Sequence, residues 1–310
     1  MTQNVACAIL VFVLFIGTVH SVAQNSVPVL PDDFPEFFRE GHRGARGLMP
    51  ENTIPSMKRA IDEGANVLEV DIQVSRDKQV VVAHDPYVNP TFSLRADGSE
   101  ISDAEASKLI LYQMDYADIR KFDVGSKPHR DFPDQKKLRA YMPLLGELID
   151  SVEAYTTRRG LPKVIYNIEV KANPRQDGHY QPEPAELIDL VMRVVSARDI
   201  GNRFYIQSFD VRQIQEVHRR YPDVVTGFLS GNKDKSLGDN LESIGFRPHI
   251  YSVHYSLATP ELVKACQQMG MKFIPWTVND TEDMRRLIHL GVDGIITDYP
   301  DRLAVAMGER

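Results

Sequence analysis

Apolar and polar positions alternate with a period of two from Leu68 to Val74: Leu68, Val70, Ile72 and Val74 are interleaved with Glu69, Asp71 and Gln73. Successive side chains of a strand point to opposite faces, so Asn66–Ser75 reads as a strand with one apolar and one acidic face. Before it, Met57, Ala60 and Ile61 form an apolar helical stripe. Asn52 or Thr53 can cap that helix, Pro55 suits its first turn, and Gly64 ends it. After it, Val80–His84 follows Asp77-Lys78 as a hairpin return.

The same periods continue along the chain. Strand patterns cover Phe37–His42, Lys163–Lys171, Arg203–Gln207, Val224–Leu229, Ile250–His254, Lys272–Val278 and Gly294–Thr297. Helix patterns cover Pro143–Arg159, Pro184–Arg198, Val211–Tyr221, Asp239–Phe246, Thr259–Met269, Thr281–Leu290 and Asp301–Met307. Strands alternating with helices predict a parallel sheet, and eight such units predict an α/β fold of the (β/α)8 TIM-barrel type. Residues 86–141 break the rhythm. They are rich in charge, Gly, Pro and Ser, offer few core residues, and hold one short helical stretch, Ile101–Ile110, capped by Ser102. This segment reads as an insertion after the second strand, beside the barrel mouth, rather than a separate domain.

Composition narrows the function. A chain of 310 residues, 43% hydrophobic and 25% charged, can bury a large core. Its net charge of −7 argues against a nucleic-acid partner, which favours basic patches. Val5–Val19 is nearly all apolar, and Ser21-Val22-Ala23 offers the small residues that a signal peptidase reads. A membrane-spanning helix needs about 20 apolar residues, so this run is short for an anchor. No Lys or Arg precedes it. The expectation is a signal peptide over residues 1–23, no stable membrane anchor, and an exported protein, periplasmic or secreted, whose domain spans residues 24–310; a retained anchor is the alternative. Cys7 falls in the leader, which leaves Cys266 unable to form an internal disulfide. Cys266 follows Leu262 and Val263 on a helix pattern and suits a buried apolar position.

Barrels of this kind place their chemistry at the C-terminal strand ends. His42 and Arg43 end the first strand, Glu69 and Asp71 lie toward the end of the second, and His84 stands on its return. Glu169 and Lys171 end the third, Gln207 the fourth, and Trp276 the seventh. Taken singly, Glu-x-Asp is a strand with one wet face, His-Arg-Gly a turn, and Ile-Glu-Val-Lys a surface salt bridge. Together they fill the positions that a barrel reserves for reactions. The Cα atoms of Glu69 and Asp71 should lie roughly 6.6 Å apart, so both carboxylates can grip one cation. Glu69, Asp71 and Glu169 are three oxygen donors, which suit one hard divalent cation, Mg²⁺ or Ca²⁺, rather than zinc. Arg43 and Lys171 supply positive charge for a phosphodiester. His42 and His84, with ordinary pKa values of about 6.5, suit proton transfer at neutral pH. Gln207 and Phe209 are further substrate-binding candidates. Trp276 either covers a glycerol or choline group with its ring or is a plain core residue. Glu51 and Asn52 divide between support of the site and loop or cap structure. Asp298 reads as an anchor of the closing loop, and His254 as a minor pocket candidate.

The order of H-R-G, P-E-N-T, E-x-D and H-D resembles the glycerophosphodiester phosphodiesterase family. M-P-L-L-G-E-L, I-E-V-K, Q-S-F, W-T-V-N and T-D-Y-P resemble its later landmarks, so the likeness runs from about Glu40 to Leu303. The resemblance implies a small-molecule glycerophosphodiester as substrate. It also implies metal ligands and an acid/base pair at the matching positions, an insertion after the second strand that shapes the pocket, and attack on phosphorus by a neighbouring glycerol hydroxyl through a cyclic intermediate. Two other readings compete. A sphingomyelinase D-like lipid phosphodiesterase shares the two histidines and three carboxylates, but calls for apolar, disulfide-tied loops. A non-catalytic binding protein for phosphorylated polyols would be expected to lack at least one of these groups, and all are present.

Overall fold

The computed structural model describes residues 27–309; the expected leader, residues 1–23, lies outside the described residues. Eight strands form the barrel: β1 (Phe38–Gly41), β2 (Val67–Val74), β4 (Ile165–Val170), β5 (Phe204–Ser208), β6 (Val225–Ser230), β7 (Ile250–Val253), β8 (Lys272–Phe273) and β9 (Gly294–Thr297). They are parallel and pair in the order β8-β7-β6-β5-β4-β2-β1-β9. The two ends of that order meet through backbone bonds. Asp293 N donates to Phe273 O at 2.9 Å, Ile296 N to Pro275 O at 3.0 Å, and Val278 N to Ile296 O at 2.9 Å. The molecule is thus a (β/α)8 barrel. The hairpin return is β3 (Val80–Val82), antiparallel to the end of β2.

One strand is shorter than its pattern. Lys272–Val278 contracts to Lys272–Phe273, because Pro275 has no N–H to give the ladder. Beyond it, backbone bonds to both neighbouring strands continue outside the regular ladder, with a bridge between His254 and Trp276.

Period-two alternation decides what each face of a strand meets. Leu68, Val70, Ile72 and Val74 turn outward into one core with Met57, Leu148, Ile149 and Val191 from the surrounding helices. The inward alternates begin with an apolar plug of Phe38, Val67, Ile165, Tyr205, Val225, Ile250, Ile274 and Ile296. Two residues further along each strand, the inward positions become Glu40, Glu69 and Asn167, all fully buried. Burying an ion costs several kcal/mol. Each fully buried aliphatic or aromatic side chain contributes roughly 1.5–3 kcal/mol. The plug and the outer core therefore offset the charged layer above.

The helix after β1, α1 (Ile54–Asp62), is capped by Thr53, whose hydroxyl accepts from Ser56 N at 3.3 Å. Residues 83–144 lie between β3 and the next long helix. They hold two short helices, α2 (Asp103–Ala106) and α3 (Tyr116–Ile119), before α4 (Leu145–Arg159) resumes the alternation. This segment is less bare than its composition suggests. Val88, Ile101, Leu111, Tyr116, Ile119, Val124 and Met142 form a buried cluster that includes Val81 of β3, so it is packed onto the barrel.

Candidate active site

The turn after β1 is built by close backbone approach. Arg43 and Gly44 both take positive φ, 50° and 83°. A Cβ on Gly44 would lie 2.5 Å from Ser56 Oγ and 2.6 Å from its carbonyl carbon, so only glycine lets α1 pack here. Asn52 N donates to Arg43 O at 3.0 Å, folding the P-E-N-T segment back over the turn. Asn52 is also left-handed, with φ 55°. Left-handed non-glycine residues cost roughly 1–3 kcal/mol and gather where function over-determines them. The return here is direct: Asn52 Nδ2 donates to Asp71 Oδ2 at 2.8 Å, and Asp71 N donates to Asn52 Oδ1 at 3.2 Å. Glu51 accepts from Arg43 Nη1 at 2.9 Å and from Arg46 Nε at 2.5 Å. Both residues therefore brace the site rather than merely capping a helix.

Pairing of β2 with β4 sets Asp71 beside Glu169. Glu69, Asp71 and Glu169 each offer a carboxylate oxygen, all within 4.8 Å of one another, and all three residues are buried. The other oxygens are spoken for. Glu69 Oε2 accepts from Arg43 N at 2.7 Å, and Asp71 Oδ2 takes Asn52 together with Arg43 Nε at 3.1 Å. Among the described residues Glu69 Oε1 has no hydrogen-bond partner, and Asp71 Oδ1 meets only Lys171 Nζ, at 3.0 Å. Buried acceptors are almost always paired. Three converging hard oxygens, one of them unpartnered, fit a divalent cation. Electrostatics agree. Burial first, then Asp71 and Glu169, push the Glu69 carboxyl well above the usual range. Burial also works to raise Asp71, but Lys171 and Arg43 outweigh it and hold that carboxyl well below the usual range. Lys171 also bonds Glu169 Oε1 at 2.6 Å.

The two histidines are each fixed at Nδ1 by a carboxylate. His42 Nδ1 lies 2.7 Å from Asp298 Oδ1, and Asp298 Oδ2 accepts from Asn279 Nδ2 at 2.7 Å. His84 Nδ1 lies 3.0 Å from Asp85 Oδ1, and Asp85 Oδ2 accepts from Asn89 Nδ2 at 2.7 Å. In both rings Nε2 remains for proton transfer. Burial lowers the His42 pKa, with Asp298 acting against it.

These groups meet at a mouth cavity of about 280 Å³. His42, Arg43, His84, Glu169, Lys171 and Gln207 line one side of the chemistry, and Phe209 and Trp276 supply an aromatic wall. Their rings meet edge to face, centroids 5.3 Å apart. Phe209 is 45% exposed, whereas Gln207 is buried with its Oε1 unpartnered among the described residues. Trp276 also packs on the apolar plug, so it is both lining and core. His254 stands edge-on behind Trp276 at 5.4 Å and does not line the cavity. A cavity of about 310 Å³ between Met192, Phe204 and Val225 gathers no comparable acid/base set.

Sequence reasoning missed three features. Asp85 and Asp298 hold the histidines. Arg46 shares the cavity wall. Glu40 points inward, where Tyr205 OH donates to it at 2.6 Å and Asn167 Nδ2 at 2.9 Å. Burial outweighs those two bonds and pushes Glu40 up to about 7. Its even spacing from His42 along β1 was the available clue.

Residues 42–302 match the model of the glycerophosphoryl diester phosphodiesterase family. A glycerophosphodiester phosphodiesterase of Caldanaerobacter subterraneus subsp. tengcongensis is 31% identical over 264 residues, covering 84% of this chain and 94% of that protein. The crystal structure of a putative glycerophosphoryl diester phosphodiesterase from Silicibacter pomeroyi is similar, with a TM-score of 0.78 and 32% identity over 89% of this chain and 95% of that one. A phosphodiesterase from Oleispira antarctica, solved with the product sn-glycerol-3-phosphate, shares the fold, with a TM-score of 0.69 and 22% identity over 88% of this chain and 97% of that one. The match over most of the barrel, including every strand end that carries the site, establishes that the chain belongs to the glycerophosphoryl diester phosphodiesterase family.

Proposed function

We propose that this protein hydrolyses glycerophosphodiesters to glycerol 3-phosphate and an alcohol, with one divalent cation, Mg²⁺ or Ca²⁺. The observation that carries the reading is that two carboxylate-backed histidines line one cavity with Glu169, which belongs to a buried cluster of three carboxylates with Glu69 and Asp71. The product named in the Oleispira antarctica structure supports the same substrate class.

Glu69 Oε1, Asp71 Oδ1 and Glu169 would hold the cation, which when bound supplies Lewis-acid charge to a phosphate oxygen. Arg43 and Lys171 add positive charge beside the phosphate. Gln207 offers an acceptor to a substrate hydroxyl, and Phe209 and Trp276 bound the rest of the substrate. One histidine takes the proton of the neighbouring glycerol hydroxyl as its oxygen bonds phosphorus. The other gives a proton to the alcohol oxygen as its P–O bond breaks. Water then opens the cyclic phosphate with the two roles exchanged. Asp298 and Asp85 keep Nε2 of each ring as the working nitrogen.

The apolar leader supports a site of action outside the cytoplasm, periplasmic or secreted, after cleavage following Ala23. Among the described residues no helix is long and apolar enough to cross a membrane. The test of function is a hydrolysis assay over a panel of deacylated phospholipids, with and without chelator. Release of glycerol 3-phosphate that stops in chelator is expected; no turnover of any member refutes the reading.

A further inference from the structure

The turn after β1 carries two arginines, and the proposed function uses only one. Arg43 is mostly spent on the protein: Nη1 donates to Glu51 Oε1 at 2.9 Å, Nε lies 3.1 Å from Asp71 Oδ2, and the residue is 8% exposed. Arg46 lines the same cavity beside His42 and Lys171. Its Nε is bonded to Glu51 Oε2 at 2.5 Å, while its two terminal nitrogens make no hydrogen bond among the described residues.

The side chain is held from behind by the insertion. Its guanidinium lies 4.6 Å from the centroid of the Phe132 ring, and Gln135 Nε2 donates to the Arg46 carbonyl at 2.8 Å. Phe132 is itself buried and meets His129 edge-on at 5.0 Å. The Arg46 charge also reaches His42 and Asp298, helping to lower both, which sets it on the His42 side of the cavity. An arginine fixed at Nε and packed on a ring presents its remaining N–H groups in a set plane, and that fork matches two oxygens of a phosphate. Glu51 and Phe132 have already met most of the cost of ordering it.

We propose that Arg46 is a substrate-binding residue that grips the anionic phosphate oxygens of the diester from the His42 side, an inference that rests on the phosphodiesterase reading above. The test compares wild type, Arg46→Gln and Arg46→Lys. KM is measured on diesters with a neutral, a cationic and a zwitterionic, carboxylate-bearing alcohol (glycerophosphoglycerol, glycerophosphocholine and glycerophosphoserine), together with the inhibition constant for glycerol 3-phosphate. A charge-assisted hydrogen bond of this kind corresponds to about 10–100-fold in binding. Arg46→Gln is therefore expected to raise KM and the inhibition constant about that much across the whole panel, with a smaller change in kcat. Arg46→Lys keeps the charge, recovers part of the loss, and carries the comparison if Arg46→Gln does not fold. Unchanged binding constants with lowered kcat or melting temperature would mean that Arg46 only braces the insertion, and would overturn the proposal. So would a loss confined to glycerophosphoserine, which would assign Arg46 to the alcohol. Wild-type protein that neither turns over the panel nor binds glycerol 3-phosphate overturns both readings; wild-type turnover with unchanged Arg46→Gln binding overturns this one alone.

Discussion

His42 Nδ1 lies 2.7 Å from Asp298 Oδ1, although 256 positions separate the two residues. Barrel closure makes the pair. β1 lies against β9 with Gly41 opposite Thr297, so the next residue of each strand meets at the mouth. Asn279 then holds Asp298 twice, its Oδ1 accepting from the Asp298 backbone N at 3.0 Å and its Nδ2 donating to the carboxylate Oδ2 at 2.7 Å.

Replacing Asp298 by Asn keeps the shape and removes the charge. A carboxylate that holds the tautomer of a working histidine contributes up to about 10⁴-fold. Asp298→Asn should lower kcat by about 10²-fold or more. Asp298 raises the His42 pKa against burial, so its loss lowers that pKa further. The limb of the pH–rate profile that follows His42 should therefore move to lower pH. An unchanged profile would show that Asp298 merely anchors the closing loop.

Much of this was legible in the sequence, and the gaps have physical causes. Glu69 and Asp71 sit on one strand of strict alternation, so their shared face could be read from spacing, and the expected barrel brought Glu169 to them from the next strand. Asp298 could not be tied to His42, because only closure of the sheet brings the first and last strands together. The Lys272–Val278 pattern was broken by one residue, Pro275. The segment over residues 86–141 hid its core because its apolar residues follow neither period. Glu40 could be placed on the His42 face by spacing, but its partners Tyr205 and Asn167 lie on other strands.

Cation binding should be coupled to proton release. Burial and the neighbouring Asp71 and Glu169 hold the Glu69 carboxyl well above the usual range, which favours proton uptake in the cation-free site, and a bound cation works against that uptake. Titration calorimetry in buffers of different ionisation enthalpy should show proton release on cation binding, and affinity should rise with pH. EDTA should abolish activity and lower the melting temperature, with Mg²⁺ or Ca²⁺ restoring both. Glu69→Gln should weaken cation binding markedly. Full turnover in excess chelator after dialysis would defeat the metal assignment.

Glu40 should set a pH dependence of stability. Its folded pKa of about 7 lies above the ordinary value of 4.5. The folded state therefore binds the extra proton between those values. The stability from this group is full below about 4.5 and is lost as pH rises through about 7, a difference of about 3 kcal/mol at most. Glu40→Gln removes the charge, and a flip of the Asn167 amide lets its unpartnered Oδ1 accept from the new amide. Urea unfolding should show Glu40→Gln gaining stability over wild type at pH 8 relative to pH 5. Equal differences at the two pH values would show that Glu40 does not titrate in the fold.

Export is tested by mass. Cleavage after Ala23 gives a chain that begins at Gln24. The intact mass of protein recovered outside the cytoplasm should match residues 24–310. A mass that retains Val5–Val19, found only with membranes, would support the anchor instead.

The two histidines approach the cavity from different elements, His42 at the end of β1 and His84 just after β3, each fixed at Nδ1 by its own carboxylate. That arrangement lets one face the attacking hydroxyl and the other the departing oxygen. General acid–base groups typically contribute about 10²–10⁴-fold each. His42→Ala and His84→Ala should each lose activity on that order while keeping cation affinity, since neither ring belongs to the carboxylate cluster. The double variant should lose less than the product of the single losses, because groups that act in one transition state are not additive. A diester with a good leaving group needs no proton at the departing oxygen. It should therefore partly rescue the variant that lacks the acid and leave the other unaided, which assigns the two roles. Near-normal turnover by both variants on glycerophosphodiesters would remove the histidines from the chemistry and reopen the lipid-hydrolase and binding-protein readings.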